Sequence, residues 1–115
     1  MESECIFCSI ASGNTPADVV FDGGDTIFFR DIAPKAPIHV VGILKKHLES
    51  LDSMSGDDHF SAGKLLHDAA HVAREVGIAD DGYRVLTNVG KNGGQEVPHL
   101  HIHILGGKQL GSIVC

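Results

Sequence analysis

Residues 99–105 alternate histidine with large apolar side chains, and this run constrains the fold more than any other part of the sequence. A period of two is typical of a β-strand with one buried face. The apolar members are predicted to point into a core; they are Leu100, Ile102 and Ile104. The imidazoles are expected on the opposite face as a surface row, with neighbours about 6–7 Å apart; they belong to His99, His101 and His103.

A surface row of imidazoles serves no packing purpose. Near neutral pH, histidine can act as a nucleophile, a proton carrier or a metal ligand. A polar strand face that uses histidine by chance is the plain alternative. The run therefore predicts either a metal site or a nucleophilic site, and the run alone does not distinguish them.

The composition favours one folded domain over residues 1–115, because 43% of these residues are apolar and the length suits one core. The net charge of −6 argues against nucleic-acid binding, which needs a basic surface; a small phosphorylated ligand needs only a few local donors.

No apolar run reaches the ~20 residues of a membrane span, and the acidic start, Met1 to Glu4, lacks signal-peptide features. Three cysteines in such a chain suggest a reducing compartment, so we expect a cytoplasmic protein.

The pattern predicts five strands and two helices. A short helical segment over 6–12 ends at Gly13, and a Gly-Gly turn joins the first two strands as a β-hairpin. The third strand is apolar enough to be covered on both faces. The strands are predicted at 19–21, 26–29, 38–44, 83–88 and 99–105.

The long helix is predicted to begin near Ser55 and Asp58, which have the spacing of a capping box, and to end at Gly77. Its apolar stripe is expected to face the sheet and comprises Phe60, Leu66, Ala69, Ala70, Ala73 and Val76. The histidines off this stripe are expected at the surface; they are His59, His67 and His71.

Several polar residues outside the histidine run each have two interpretations. Cys5 and Cys8 suit either a tetrahedral metal or a redox pair, whereas Cys115 has no assignable role. Asp31 is typical of a turn or cap residue. His39 suits either the site or a structural role, and His47, on a polar loop, is ordinarily exposed. The Gly-rich segment 90–95 suits an anion-binding nest or a flexible loop.

The run from His99 to Leu105 matches the His-x-His-x-His-x-x motif of the histidine triad family, in which x is hydrophobic. Segments 31–39 and 93–97 and the Gly-Gly pair at 106–107 resemble its Hint branch. The resemblance implies an α+β fold with a five-stranded antiparallel sheet, one long and one short helix, and a homodimer whose sheets join. The strands and helices predicted from the pattern agree with this fold.

The resemblance also implies hydrolysis of purine nucleoside phosphoramidates, such as AMP-lysine, at the α-phosphate. His101 would be the nucleophile, with a neighbouring backbone carbonyl holding its other nitrogen as a donor, and water would hydrolyse the nucleotidyl-histidine. His103 would contact the phosphate or help to protonate the leaving amine. His39 would support the proton network, and His99 would complete the triad.

By the same resemblance, Asp31 would accept hydrogen bonds from the ribose hydroxyls, and Asn88 and the Gly94 backbone would contact the ligand beside the phosphate. Gln95 and Glu96, in the adjoining motif, would also belong to the nucleotide site. Part of the branch has serine at Glu96, so we expect a different selectivity for the leaving amine. The apolar walls around the base would be Ile6, Phe7, Ile10, Phe29 and Ile32.

A zinc site found in some branches of the family matches Cys5, Cys8, His47 and His99. Two thiolates and two imidazoles would make a closed structural site, which would leave His101 free for chemistry without a catalytic cofactor. Two alternatives stay open for the function. They are a dinucleoside polyphosphate hydrolase and a nucleotide-binding interaction protein without catalysis.

Overall fold

In a computed structural model, which describes residues 5–113, the chain forms one five-stranded antiparallel sheet with a helix on each face. The helices are α1 (Ile6–Ala11) and α2 (His59–Glu75). The strands are β1 (Val19–Asp22), β2 (Thr26–Arg30), β3 (Ile38–Leu44), β4 (Tyr83–Leu86) and β5 (His101–Gly106). The predicted α+β class is confirmed. The acidic start, Met1 to Glu4, and Cys115 lie outside the described residues.

The strands lie in the order β1-β2-β3-β5-β4, and every neighbouring pair is antiparallel. The central strand β3 is buried along nearly its whole length, as its apolar sequence predicts. Its register with β5 places Ile43 opposite His101 and Val41 opposite His103. Directly opposed residues share a sheet face, so two of the histidines lie beside apolar side chains of β3.

Each sheet face has its own core. The larger core joins α2 to Phe28, Val40 and the apolar members of the histidine run. The smaller core lies on the other face, where α1 contributes Phe7 and Ile10. Within residues 5–113, no helix is both long and apolar enough to cross a membrane.

The apolar stripe of α2 differs from the prediction. Phe60 and Leu66 were expected to be buried, but they are 75% and 57% exposed. Phe60 is nine residues before buried Ala69 and therefore lies about half a turn around the helix from it. The buried stripe consists of Leu65, Ala69, Val72 and Ala73, with Asp68 beside it.

The two ends of α2 follow the sequence more closely. The Ser55–Asp58 capping box is present, but it caps a short 3₁₀ turn, Gly56–Asp58, that leads into the helix. Gly77 has φ 84°, as a left-handed helix stop requires. His59 and His67 are exposed as predicted, whereas His71 is half-buried with its ring 4.8 Å from that of Phe21.

The prediction of a surface row of imidazoles is wrong. His99 lies before β5 and is 0% exposed, and His101 is only 5% exposed. The alternation of faces is nevertheless present, because the apolar members of the run pack towards α2. Helix α1 covers the opposite face, and the Phe7 ring meets both imidazoles edge-on. The predicted strand 83–88 is also shorter and ends at Leu86. The next residue, Thr87, donates its hydroxyl to the His101 carbonyl at 2.6 Å.

Gly42 tests the packing of the sheet against α2. A Cβ at this position would overlap the ring of Phe28, which is fully buried and cannot move aside. We expect Gly42→Ala to lower the free energy of unfolding by about 1–3 kcal/mol, as overpacking does. The control is Gly63→Ala on α2, where a Cβ would have no atom of residues 5–113 within 4 Å apart from its own helix backbone and chain neighbours; it should raise the free energy of unfolding by up to about 1 kcal/mol. Urea denaturation measures both, and equal effects would contradict the packing.

Candidate active site and metal centre

The backbone determines which nitrogen of His101 carries hydrogen. Its Nδ1 lies 2.7 Å from the carbonyl oxygen of His99. A carbonyl can only accept, so Nδ1 donates, and in the neutral ring Nε2 is left with a lone pair. His101 therefore has the tautomer that a nucleophilic imidazole needs.

A second chain of hydrogen bonds orients His39 and His103. The Lys35 backbone N–H donates to Nδ1 of His39 at 3.0 Å, so Nε2 of His39 carries the hydrogen. That Nε2–H donates to Nδ1 of His103 at 2.8 Å. It follows that the other ring nitrogen of His103, Nε2, carries a hydrogen and can act as a donor.

Burial keeps this pair of imidazoles neutral. Burial, followed by the neighbouring rings of His101 and His39, lowers the pKa of His103 to about 4. Burial also lowers the pKa of His39, against the opposing attraction of Asp31. Near neutral pH, His103 is therefore a neutral hydrogen-bond donor.

A cavity of about 410 Å³ lies between α1 and the strand β2. Its wall includes Phe7, whose ring centroid is 5.1 Å from that of His101, and Val41, the cross-strand neighbour of His103. The cavity thus adjoins the imidazoles. It brings together seven residues predicted at the nucleotide site, namely Ile6, Phe7, Ile10, Phe29, Asp31, Ile32 and Glu96.

Two acidic residues line this cavity, and they differ in hydrogen bonding and exposure. Asp31 accepts from the Ala33 N–H at 2.7 Å, and its other carboxylate oxygen lies 3.5 Å from Nε2 of His39. It therefore caps a turn, as its position predicts, and also faces the site. Glu96 is exposed.

The loop over 88–97 is held by its own side chains. Asn88 donates to the Gly93 carbonyl at 2.7 Å. The Gln95 amide donates to the carbonyls of Glu49 and Val97, and its oxygen accepts from the Gly90 N–H. Gly94 has φ 78°, which suits glycine. The Asn88 and Gln95 side chains, predicted to bind a ligand, are thus engaged in shaping the loop.

Cys5, Cys8, His47 and His99 converge and could hold a metal ion. Nδ1 of His99 lies 3.4 Å and 3.5 Å from the two sulfur atoms and 3.1 Å from Nδ1 of His47, which is itself 3.1 Å from the Cys8 sulfur. Zinc bonds of about 2.3 Å to sulfur and about 2.0 Å to nitrogen would place tetrahedral ligand atoms about 3.3–3.8 Å apart. The donor set and its spacing fit zinc.

A second group, Asp31, His39 and His103, also lies close enough to hold a metal, but the tautomer of its His39 suits a metal poorly. In the Cys/His group, His99 Nε2 donates to the Leu44 carbonyl at 2.9 Å, which leaves the Nδ1 lone pair of His99 facing the cysteines. His39 instead carries hydrogen on the nitrogen that faces its group. The hydrogen bonds therefore favour the Cys/His group as the metal centre.

Comparison with known proteins agrees with this geometry. Residues 12–110 match the HIT domain. The chain belongs to the HIT family. Over 114 residues, this HIT chain is 38% identical to the purine nucleoside phosphoramidase of Escherichia coli (strain K12), covering 99% of this chain and 96% of that protein. It is 43% identical over 102 residues to Protein HitA of Neisseria gonorrhoeae, covering 89% and 94%.

Solved HIT structures have the same fold. A HIT family hydrolase from Legionella pneumophila Philadelphia 1 superposes with a TM-score of 0.91 at 42% identity, covering 94% of this chain and 96% of that one. A histidine triad protein from Clostridium difficile gives 0.92 at 38% identity, covering 95% of each chain. The five-stranded antiparallel sheet with one main helix is thus shared with the family.

Some contributors to this HIT site were missed by the sequence reasoning. Lys35 acts through its backbone N–H, which no side-chain pattern reveals. Val41 lines the cavity and could have been found, because it is two residues from His39 on β3 and therefore lies on the same face of the sheet. Pro16 and Ala17 also line the cavity but follow no motif.

The low pKa of His103 predicts how stability depends on pH. The pKa is about 4 in the folded chain against 6.5 ordinarily, so the unfolded state binds more protons between these values. Stability should therefore fall as the pH drops from 6.5 towards 4. His103→Asn should lose less unfolding free energy than the wild type between pH 7 and pH 5, as measured by urea denaturation. His59→Asn, at an exposed position, should follow the wild type. Identical losses in all three proteins would contradict the assignment.

Proposed function

We propose that the protein is a nucleotide hydrolase that cleaves the P–N bond of purine nucleoside phosphoramidates. The observation that carries this proposal is the lone pair on Nε2 of His101, which the His99 carbonyl selects beside an apolar cavity. Similarity to the purine nucleoside phosphoramidase of Escherichia coli supports the same substrate class. AMP-lysine is our representative substrate.

His101 acts first as the nucleophile. Its Nε2 attacks the α-phosphorus, a P–N bond to the ring forms, and the P–N bond to the amine breaks. The departing nitrogen takes up a proton from water and leaves as the amine. The positive charge that develops on the ring is stabilised by the Nδ1–H bond to the His99 carbonyl, at 2.7 Å.

His103 acts as a neutral hydrogen-bond donor to a phosphate oxygen. Of the two roles that the resemblance implies, contact with phosphate fits better, because its pKa of about 4 leaves almost no imidazolium at neutral pH. The Lys35 N–H and His39 hold it in the required tautomer. This donor stabilises the charge that builds up on phosphorus–oxygen bonds during transfer.

Water then hydrolyses the nucleotidyl-histidine. The P–N bond of this intermediate resembles the bond that was broken, so neither half-reaction is steeply uphill. Water bonds to phosphorus through its oxygen, the bond to Nε2 breaks, and His101 recovers its lone pair. The proton that water releases neutralises the hydroxide left when the amine was protonated. The products are the nucleoside monophosphate and the amine.

The cavity binds the nucleoside in this proposal. Asp31 accepts from the ribose hydroxyls, and apolar side chains of α1 and β2 enclose the base. Walls of this kind bind by burial and discriminate little between purines. Glu96 lines the same cavity and influences which amine is accepted.

Zinc is the metal that the centre would hold, through Cys5, Cys8, His47 and His99. Four protein ligands close its coordination shell, so the metal would supply folding energy. We place the protein in the cytoplasm, where thiols stay reduced. A homodimer would form by pairing at β4, a strand at one edge of the sheet whose Tyr83 and Val85 are exposed.

Replacement of the nucleophile tests the mechanism. With AMP-lysine as substrate, His101→Ala should lower kcat by about 10⁴–10⁶-fold, the scale for removing a covalent nucleophile. The Kd for AMP should change little, because the cavity walls are retained. Mass spectrometry of reactions stopped rapidly in alkaline denaturant, which preserves the acid-labile phosphorus–nitrogen bond, should show the adenylylated chain for the wild type alone. His59→Ala is the control at an exposed position and should keep full activity.

Substrate comparison distinguishes the proposal from the alternatives. Faster cleavage of diadenosine tetraphosphate than of AMP-lysine by the wild type would favour a dinucleoside polyphosphate hydrolase. AMP binding with no turnover of either compound would favour a nucleotide-binding interaction protein.

Asp31→Ala tests the ribose contact separately. Loss of a hydrogen bond to a charged group costs about 1.5–3 kcal/mol, so AMP should bind about 10–100-fold more weakly. The 2′,3′-dideoxy analogue of AMP lacks the hydroxyls, and its Kd should be nearly equal for wild type and variant. Calorimetric titration measures both. If both ligands weaken equally, Asp31 acts through Ala33 and His39 rather than on ribose.

A further inference from the structure

His99 belongs to two sites at once. Its Nδ1 faces Cys5, Cys8 and His47, whereas its backbone carbonyl accepts the hydrogen bond from His101 at 2.7 Å. Its Nε2–H is held by the Leu44 carbonyl. Both the ring and the carbonyl of this fully buried residue are therefore held by hydrogen bonds, and a shift of one displaces the other.

Phe7 makes a second connection between the same two sites. It lies between Cys5 and Cys8 in sequence, and its ring meets His99 at 6.0 Å and His101 at 5.1 Å, both edge-on. Its side chain also lines the cavity. A movement of the cysteines therefore moves a residue that contacts the reacting imidazole and encloses the ligand.

Helix α1 depends on contacts outside itself. It has six residues, whereas isolated helices shorter than about 12–15 residues are marginal in water. Cys5 caps its start by accepting from the Cys8 N–H at 3.4 Å. A metal that ties both sulfur atoms to His47 and His99 would anchor this helix to the sheet, and with it the wall of the cavity.

We propose that Phe7 and His99 are positioning residues that couple metal binding at the Cys/His centre to nucleotide binding beside His101. The inference rests on the proposed zinc centre and nucleotide cavity. Metal occupancy fixes the His99 carbonyl and the Phe7 ring, and these orient His101 and close the cavity. The metal thereby acts on the nucleotide site without touching substrate.

Coupling of this kind is reciprocal. If zinc strengthens AMP binding by a given factor, AMP must strengthen zinc binding by the same factor. We expect a factor of about ten, within the usual range of such couplings. A purely structural metal at an independent site would give a factor of one.

Affinity measurements on the full chain test the coupling without reference to activity. Calorimetry gives the Kd for AMP in zinc-loaded and metal-free protein, and competition with a chromogenic chelator gives the zinc affinity with and without saturating AMP. Both ratios should be about ten and equal. In ¹⁵N spectra, the His101 ring should show a protonated Nδ1 in the loaded protein and tautomer exchange after zinc is removed.

Variants separate the connection from the metal itself. Phe7→Leu keeps all four ligands and should bind zinc normally, but the ratio of AMP affinities should fall towards one. Cys8→Ala removes a ligand and should bind AMP like the metal-free protein. Ser12→Ala is the matched control, because the exposed Ser12 hydroxyl donates to the Ser9 carbonyl at the end of α1; its ratio should stay at the wild-type value.

The outcomes distinguish failure of the coupling from failure of the proposals on which it rests. Zinc binding with equal AMP affinities in both forms overturns the coupling alone. A full tenfold ratio in Phe7→Leu overturns the role of Phe7. Absence of zinc binding overturns the centre and the coupling together, while hydrolysis of AMP-lysine still tests the activity. If metal-free protein unfolds, zinc-loaded Phe7→Leu is compared with zinc-loaded wild type. Weaker AMP binding with tautomer exchange at the His101 ring supports the coupling, and an unchanged Kd and spectrum overturn it.

Discussion

The hydrogen bond from Nδ1 of His101 to the His99 carbonyl is the contact on which the site depends. It selects the tautomer of His101, and it requires His99 to be held just before β5. His99 is held because its own ring donates to the Leu44 carbonyl at the end of the central strand. One buried residue thus links the sheet, the candidate nucleophile and the candidate metal centre.

The triad imidazoles differ because each meets a different backbone partner. The His99 carbonyl makes Nδ1 of His101 a donor, and the Leu44 carbonyl makes Nε2 of His99 a donor. The Lys35 N–H donates to His39, which in turn donates to Nδ1 of His103 and makes that nitrogen an acceptor. Identical side chains therefore suit the three tasks that we propose for them: attack on phosphorus, metal ligation and hydrogen bonding to phosphate. Burial reinforces the division by keeping His103 neutral, with a pKa of about 4.

Helix α1 explains why the two sites are close together. Its short length leaves it dependent on the sheet, and its residues contribute to both the Cys/His group and the cavity. Belonging to the HIT family accounts for the overall arrangement. The coupling we propose follows from the contacts of Phe7 and His99 in this chain.

The sequence by itself determined the strand pattern and the two faces of the histidine run, because period and residue type are local properties. The residues that gather at the cavity were predicted through the resemblance to the histidine triad family, not from local pattern. It misplaced Phe60 and Leu66, since the buried side of α2 is decided by the sheet it meets. It also predicted exposed imidazoles, because no pattern within 99–105 shows that α1 covers them. The resemblance implied the tautomer of His101, held by a neighbouring carbonyl. Only the tertiary structure decided those of His99, His39 and His103, since these depend on backbone groups of Leu44 and Lys35 that meet the rings through folding.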